Sequence, residues 1–223
     1  MNLRSRLSAV FAVALLAFAG LSAAQDAKTE KAATEFVEGK DYFLIDPPVP
    51  SRAGDKIEVV EVFGYSCPHC AHFAPLVTEW TKRQKSDVQF ELVPAAFGGI
   101  WDAYAAVYFT AATMGVADKA HDEFFKALHE DKMPVRNLED IAQFYADRTG
   151  VNKDEFLSTI ESFPVNDKVA DARQRGRAYG VEGTPTMIVN GKYRVMAGQG
   201  GFKRMLQVTD FLVEKERASL SAK

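Results

Sequence analysis

The chain carries two cysteines and no more, and they stand three positions apart as Cys67-Pro68-His69-Cys70. Two thiols at that spacing can close a disulfide over two intervening residues. Such a bridge closes almost no loop, so it takes little entropy from the unfolded chain and adds little stability. A secreted scaffold stapled by disulfides would carry more cysteines, spread along its length. Reactivity is therefore the better reason for the pair, and the chemistry it can do is thiol–disulfide exchange. A zinc site is the competing use. Cys67, His69, Cys70 and His72 offer four donors, but within six residues they cannot converge tetrahedrally, and zinc sites usually draw two ligands from elsewhere. We expect no metal and no separate cofactor, the Cys67–Cys70 disulfide being itself the redox carrier.

The residues around the pair give it a direction. Ile57 to Phe63 (IEVVEVF) is rich in β-branched residues and predicts a strand. A helix should begin at Cys67, because Phe73, Leu76, Val77 and Trp80 recur at helical spacing. Cys67 then sits at the N-cap and Pro68 at the first helical position, where its missing N–H costs nothing. Unpaired N–H groups of the first turn point at the Cys67 sulfur and favour thiolate over thiol. His69 can add charge and a hydrogen bond to the same thiolate. A stabilised thiolate stabilises the reduced form, which makes the disulfide an oxidant. Cys70, one turn in and less exposed, would resolve mixed disulfides.

Three further positions stand out. Glu61 shares a strand face with Ile57, Val59 and Phe63 at period two. In a central strand it would be desolvated, its pKa raised, and it could relay a proton for Cys70; at a sheet edge it would reach water. Thr184-Pro185 opens a late hairpin. A proline is allowed at a strand start on geometry alone; a cis bond packed beside the cysteines would leave the Thr184 backbone free to pair with an extended peptide. Phe202 and Met205 line a substrate groove or pack in the core. His72 reads as a solvated helix face. His121, His129 and the aromatic run 101–109 read as surface and core residues of a helical cap.

The elements that must position these residues follow from periodicity. Tyr42 to Ile45 is a brief apolar run ended by Asp46-Pro47-Pro48, and Val88 to Val93 is a second strand. Pro75 lies inside the first helix and should kink it. Helical patterns follow at 101–112, 118–131, 138–147, 153–162 and 166–178, punctuated by Gly115, Pro134, Gly150, Pro164 and Gly180. Thr186 to Val189, Asn190-Gly191 and Lys192 to Met196 predict a hairpin on a type I′ turn. A last helix spans 202–217. Residues 25–40 are polar and predict a loose arm or a short docking helix. A Cys-x-x-Cys between the first strong strand and its helix suggests an α/β, thioredoxin-like layout. The boundaries we expect are a thioredoxin-like domain over 25–94 and 181–223 and an inserted all-helical domain over 95–180.

Residues 1–24 read differently. Arg4 and Arg6 precede an apolar run from Leu7 to Leu21, and Ser22-Ala23-Ala24 supplies small residues. That is the pattern of a secretory signal peptide cleaved after about Ala24. The run is about 15 residues, short of the roughly 20 that span a bilayer. Its removal takes two arginines and no acid, so the formal net charge of −3 becomes more negative. With no basic stripe, nucleic acid is excluded as a partner.

With these residues in hand, the chain resembles the DsbA family of bacterial periplasmic disulfide oxidases. The resemblance rests on Glu61 to Cys70 (EVFGYSCPHC), the helical insert, and Gly183 to Tyr193 (GTPTMIVNGKY). In that family a depressed cysteine pKa and an oxidising couple are already established. The resemblance implies a thioredoxin fold with an inserted helical domain, acting as a monomer in the periplasm. It implies donation of the Cys67–Cys70 disulfide to reduced, unfolded exported proteins, and reoxidation by a DsbB-type, quinone-linked membrane oxidoreductase. It carries the cis-proline role to Pro185 and the buried-acid role to Glu61. Two positions depart from the best-known member: Thr184 where that protein has valine, and Ala74 where it has glutamate. Threonine before the proline also occurs in the isomerases of the superfamily. An isomerase or reductase is the second reading. Isomerases of this kind are dimers built on a separate N-terminal domain, for which too little chain precedes Ile57, and a reductase needs a less acidic Cys67. A peptide-binding or metal-carrying module with an incidental disulfide is the third, and it would keep its function in a Cys67→Ser variant.

Overall fold

The computed structural model describes residues 36–221. The leader read over 1–24 and the first part of the arm lie outside the described residues. Five strands form one sheet in the order β1-β5-β4-β2-β3: β1 (Phe43–Leu44), β2 (Ile57–Phe63), β3 (Val88–Pro94), β4 (Thr186–Val189) and β5 (Tyr193–Met196). β3 runs parallel to β2, while β4 and β5 run antiparallel. Between β2 and β3 lies α1 (Pro68–Thr81). Five helices separate β3 from β4: α2 (Ile100–Thr113), α3 (Ala117–His129), α4 (Leu138–Thr149), α5 (Lys153–Ile160) and α6 (Phe163–Ala178). α7 (Gly201–Ser221) closes the chain. This is the α/β, thioredoxin-like sheet with an all-helical insertion that the sequence pattern implies.

β2 is the centre of the molecule. Every one of its residues is buried, which is why it reads as a near-continuous apolar run rather than an alternation. Ile57 and Val59 pack with Phe73, Val77 and Trp80 of α1 and with Met205 and Leu212 of α7. Val60 and Val62 face the other way, against Ala172 and Tyr179 of α6 and its following turn. Trp80, fully buried, donates its indole N–H to Asp210 at 2.7 Å and ties α1 to α7.

The insert is not a separate lobe. Phe63, Tyr65, Cys67, Cys70 and Ala74 belong to one apolar cluster with Val107, Ala120, Phe124, Phe125 and Tyr145. Some bounds differ from the sequence pattern. α6 begins at Phe163, because Pro164 occupies its first turn, where proline is tolerated, rather than breaking the chain. Pro75 lies within α1, which runs unbroken to Thr81. Phe36 of the arm packs its ring on Phe211, centroids 5.4 Å apart.

The β4–β5 turn has both central residues at positive φ, Asn190 at 51° and Gly191 at 62°. The Asn190 side chain accepts from the Glu58 N–H at 2.9 Å and donates to Glu216 at 2.8 Å. The Gly191 carbonyl accepts from the Val49 N–H at 2.9 Å. A Cβ at Gly191 would run into the Val49 carbonyl oxygen. We expect Gly191→Ala to destabilise the protein by about 1–3 kcal/mol, from the positive φ and the backbone clash together. Denaturant unfolding would measure it, and a change within about 0.5 kcal/mol would show that the turn tolerates a side chain.

Candidate active site

β2 ends at Phe63 and a short turn follows, closed by the Cys67 N–H donating to the Gly64 carbonyl at 3.0 Å. The Trp101 ring lies so close against Gly64 that no side chain fits there. Cys67 has extended backbone angles and occupies the N-cap of α1, with Pro68 in the first turn. Both cysteines are free thiols in the structure. Cys67 keeps 8% of its surface and Cys70 none.

The two sulfurs differ sharply in proton affinity. Cys67 is pulled from 9.0 down to about 5. The largest cause is a hydrogen bond from the Cys70 thiol; next come hydrogen bonding by Thr184 and by the backbone N–H groups of Cys70 and His69, all working against desolvation. Cys70 is pushed up, first by burial and then by Cys67 itself. The pair thus shares one ionised sulfur, the outer one. The His69 ring is exposed and enters no hydrogen bond among the described residues. What His69 contributes to the thiolate here is its backbone N–H.

Thr184 and Pro185 lie against the cysteines. The Thr184–Pro185 bond is cis, and as a thiol Cys67 donates to the Thr184 carbonyl at 3.4 Å. The Thr184 hydroxyl is buried and has no partner in this geometry. It is therefore free to turn its proton to the sulfur when the thiolate forms. Pro185 is buried and Thr184 half-buried.

Glu61 keeps 2% of its surface. It pairs with Leu92 of β3 and Met187 of β4, so it lies in the middle of the sheet and not at an edge. Desolvation raises its pKa to about 8, with smaller contributions from the negative charges of Asp122 and Cys67. Its side chain opens on a cavity of about 450 Å³.

Two histidines of α3 hold the turn before Cys67. His121 is buried and its Nδ1 lies 3.0 Å from the Tyr65 hydroxyl. His129 Nε2 lies 2.7 Å from the Tyr65 carbonyl oxygen, which requires that nitrogen to carry the proton. Burial pushes the His121 pKa down to about 4, so it is neutral around pH 7. Sequence reasoning left both histidines as residues of the cap. The signal for His121 was present, since it shares the buried stripe of α3 with Ala117, Ala120, Phe124 and Phe125. Met205 is 2% exposed and packs in the core, the second of its two readings, because the α7 stripe turns it inward. Phe202 is half-buried with its ring on Phe73, centroids 5.0 Å apart. His72 is exposed on α1.

The family profile described as "DSBA-like thioredoxin domain" matches residues 58–210. The chain is 44% identical over 193 residues to the thiol:disulfide interchange protein DsbA of Pseudomonas syringae pv. tomato, covering 86% of this chain and 90% of that protein. It is 42% identical over 188 residues to the protein of the same name from Pseudomonas aeruginosa, covering 84% and 89%. Among solved structures, the oxidoreductase DsbA from Xylella fastidiosa superposes with a TM-score of 0.77 at 43% identity, over 82% of this chain and 98% of that one. Pseudomonas aeruginosa DsbA superposes with a TM-score of 0.79 at 41% identity, over 85% and 98%.

Removing the Thr184 hydroxyl should show in the thiolate. We expect Thr184→Val to raise the Cys67 pKa by about one to two units, the worth of one hydrogen bond to a charged group. Ultraviolet thiolate absorbance against pH would read it. An unchanged midpoint would mean that the hydroxyl does not face the sulfur.

Proposed function

From membership of the DsbA family, to which this chain belongs, we propose that it is a protein-disulfide oxidoreductase that donates its Cys67–Cys70 disulfide to reduced, unfolded exported proteins. The observation that carries this is the asymmetry of the two sulfurs, one lowered to about 5 and the other raised.

The steps follow from that asymmetry. A substrate thiolate attacks Cys67 Sγ, the sulfur with access to solvent. The Cys67–Cys70 bond breaks, and Cys70 leaves as a thiolate that takes up a proton in its apolar surroundings. Glu61, with its pKa near neutrality, is the group suited to supply that proton. A second substrate thiolate then attacks the substrate sulfur of the mixed disulfide. The substrate disulfide forms and Cys67 leaves as the stable thiolate. Two electrons pass from the substrate dithiol to the protein disulfide. A low leaving-group pKa speeds this last step. Thr184 and Pro185 present the backbone against which an extended substrate segment pairs, with Pro68 and His69 shaping the exposed rim.

The active disulfide is restored, in this reading, by a DsbB-type, quinone-linked membrane oxidoreductase. The protein works as a monomer in the periplasm, reached through the leader at residues 1–24. These statements rest on the family and on the leader pattern.

The oxidised protein, mixed with a reduced unfolded protein, should transfer one disulfide per molecule. Cys67→Ser should abolish transfer. Cys70→Ser, mixed with a protein bearing an accessible disulfide, should accumulate a covalent complex through Cys67, seen on a non-reducing gel. Transfer that survives in Cys67→Ser would remove the proposal.

A further inference from the structure

The cavity in front of Glu61 is bounded by α1, β3, α2 and α3. Ala74, Val77, Phe90 and Leu92 give it an apolar strip beside the polar Tyr108 and His121, and the exposed carboxylates of Asp118 and Asp122 on α3 border it. No lysine or arginine lines it. Glu91 also borders it, but Arg175 takes both oxygens of that carboxylate at 2.7 Å. At about 450 Å³ the space lies within the range of small-molecule sites.

Glu61 is the anomaly. It is 2% exposed, lines the cavity, and forms no hydrogen bond to any described residue. Its oxygens are not sealed off but meet the cavity, where a largely desolvated carboxylate is costly to ionise. Asp122, which accepts from Thr78 at 3.4 Å, has its own pKa raised by burial. Two acids with raised proton affinity therefore face one void with no cation of the protein inside it. A metal ion is a poor occupant, since no three His, Cys, Asp or Glu side chains converge for one among the described residues.

We propose that this cavity binds a small aliphatic diamine. One ammonium donates to the Glu61 carboxylate, the methylenes lie along Val77, Ala74 and Leu92, and the second ammonium meets Asp118 and Asp122 at the rim. Charge complementarity chooses a cation, the apolar wall chooses methylenes over a hydrated ion, and acids at both depths choose two ammonium groups over one.

The pH dependence follows from the groups that face Glu61. From α3 these are Asp118, His121 and Asp122, from α2 Tyr108, from β3 Glu91 held by Arg175, from α1 Cys70 and from its N-cap Cys67, with Lys82 beside Asp122. His121, at about 4, stays neutral above pH 6; Cys67, at about 5, stays ionised there. Glu61, near 8, must lose its proton to meet the ammonium. Affinity should therefore rise up to about tenfold per pH unit below about 8, with a proton released on binding.

The test is calorimetric titration of the purified reduced protein with 1,5-diaminopentane, in buffers of differing ionisation enthalpy. We expect saturable one-to-one binding with Kd below about 1 mM at pH 8, weaker binding by pentylamine, and none by 1,5-pentanediol. Glu61→Gln, checked for folding by its thermal melt, should weaken the diamine about tenfold or more and abolish the proton release. Leu92→Lys gives Glu61 an internal ammonium at the paired position of β3 and should also exclude the ligand. The proposal is overturned by absence of saturable binding, by equal binding of the diol, or by undiminished affinity in Glu61→Gln, which would mean adsorption to the surface acids alone. Disulfide transfer is not part of this readout, so its loss would leave the proposal standing.

Discussion

The structure depends on keeping one sulfur ionised where a protein ordinarily would not. Cys67 is nearly buried, and burial alone would raise its pKa. It is lowered because hydrogen-bond donors converge on it: the Cys70 thiol, Thr184, and the first N–H groups of α1. Thr184 comes from the far end of the chain, and the others from the first turn of α1. The fold can be understood as the apparatus that brings them to one point. β2 delivers Cys67 to the helix start, Trp80 anchors α1 to α7, and the β4–β5 hairpin presents Thr184 from more than a hundred residues away.

The helical insert supports the same point from the other side. Tyr65, two residues before Cys67, is fully buried among Phe63, Phe124 and Phe125. His121 meets its hydroxyl and His129 its carbonyl. The turn that sets the direction of the Cys67 backbone is thus bonded to α3 through both its side chain and its main chain. Gly64, the residue before Tyr65, is packed under Trp101 of α2. An insert between β3 and β4 therefore acts as a brace on the nucleophile, at the cost of burying polar atoms of Ser66 and Tyr145 without hydrogen-bond partners.

Local chemistry was legible in the sequence, and long-range pairing was not. Cys67, Pro68 and Cys70 could be read because N-cap, first turn and buried second cysteine all follow within one helical turn. Glu61 could be singled out because it shares a strand face with Val59 and Phe63 at period two, but whether that strand was central or at an edge was settled only by the sheet order. The stripe Met205, Leu206, Thr209, Leu212 and Val213 was legible as one face of α7, but not whether Met205 on that face met the core or a groove. Asp122, His121 and Tyr65 could not be matched from sequence, because which face of α3 meets which strand is set by packing of the whole insert. The nearness of Thr184 to Cys67 was carried by family resemblance, since neither period nor spacing encodes it.

Ionised Cys67 stabilises the folded reduced protein. Folding moves its pKa from 9.0 to about 5. The stabilisation is complete above about 9, and it is lost as pH falls through the folded value near 5. The disulfide form has no such thiolate, and its short loop adds little of its own. The direct measurement is the melting temperature of both forms from pH 5 to pH 9. Reduced protein should melt higher at pH 7 and above, with the gap closing toward pH 5. A higher melting temperature for the oxidised form throughout, or a gap that does not change with pH, would show that the Cys67 thiolate does not stabilise the reduced fold.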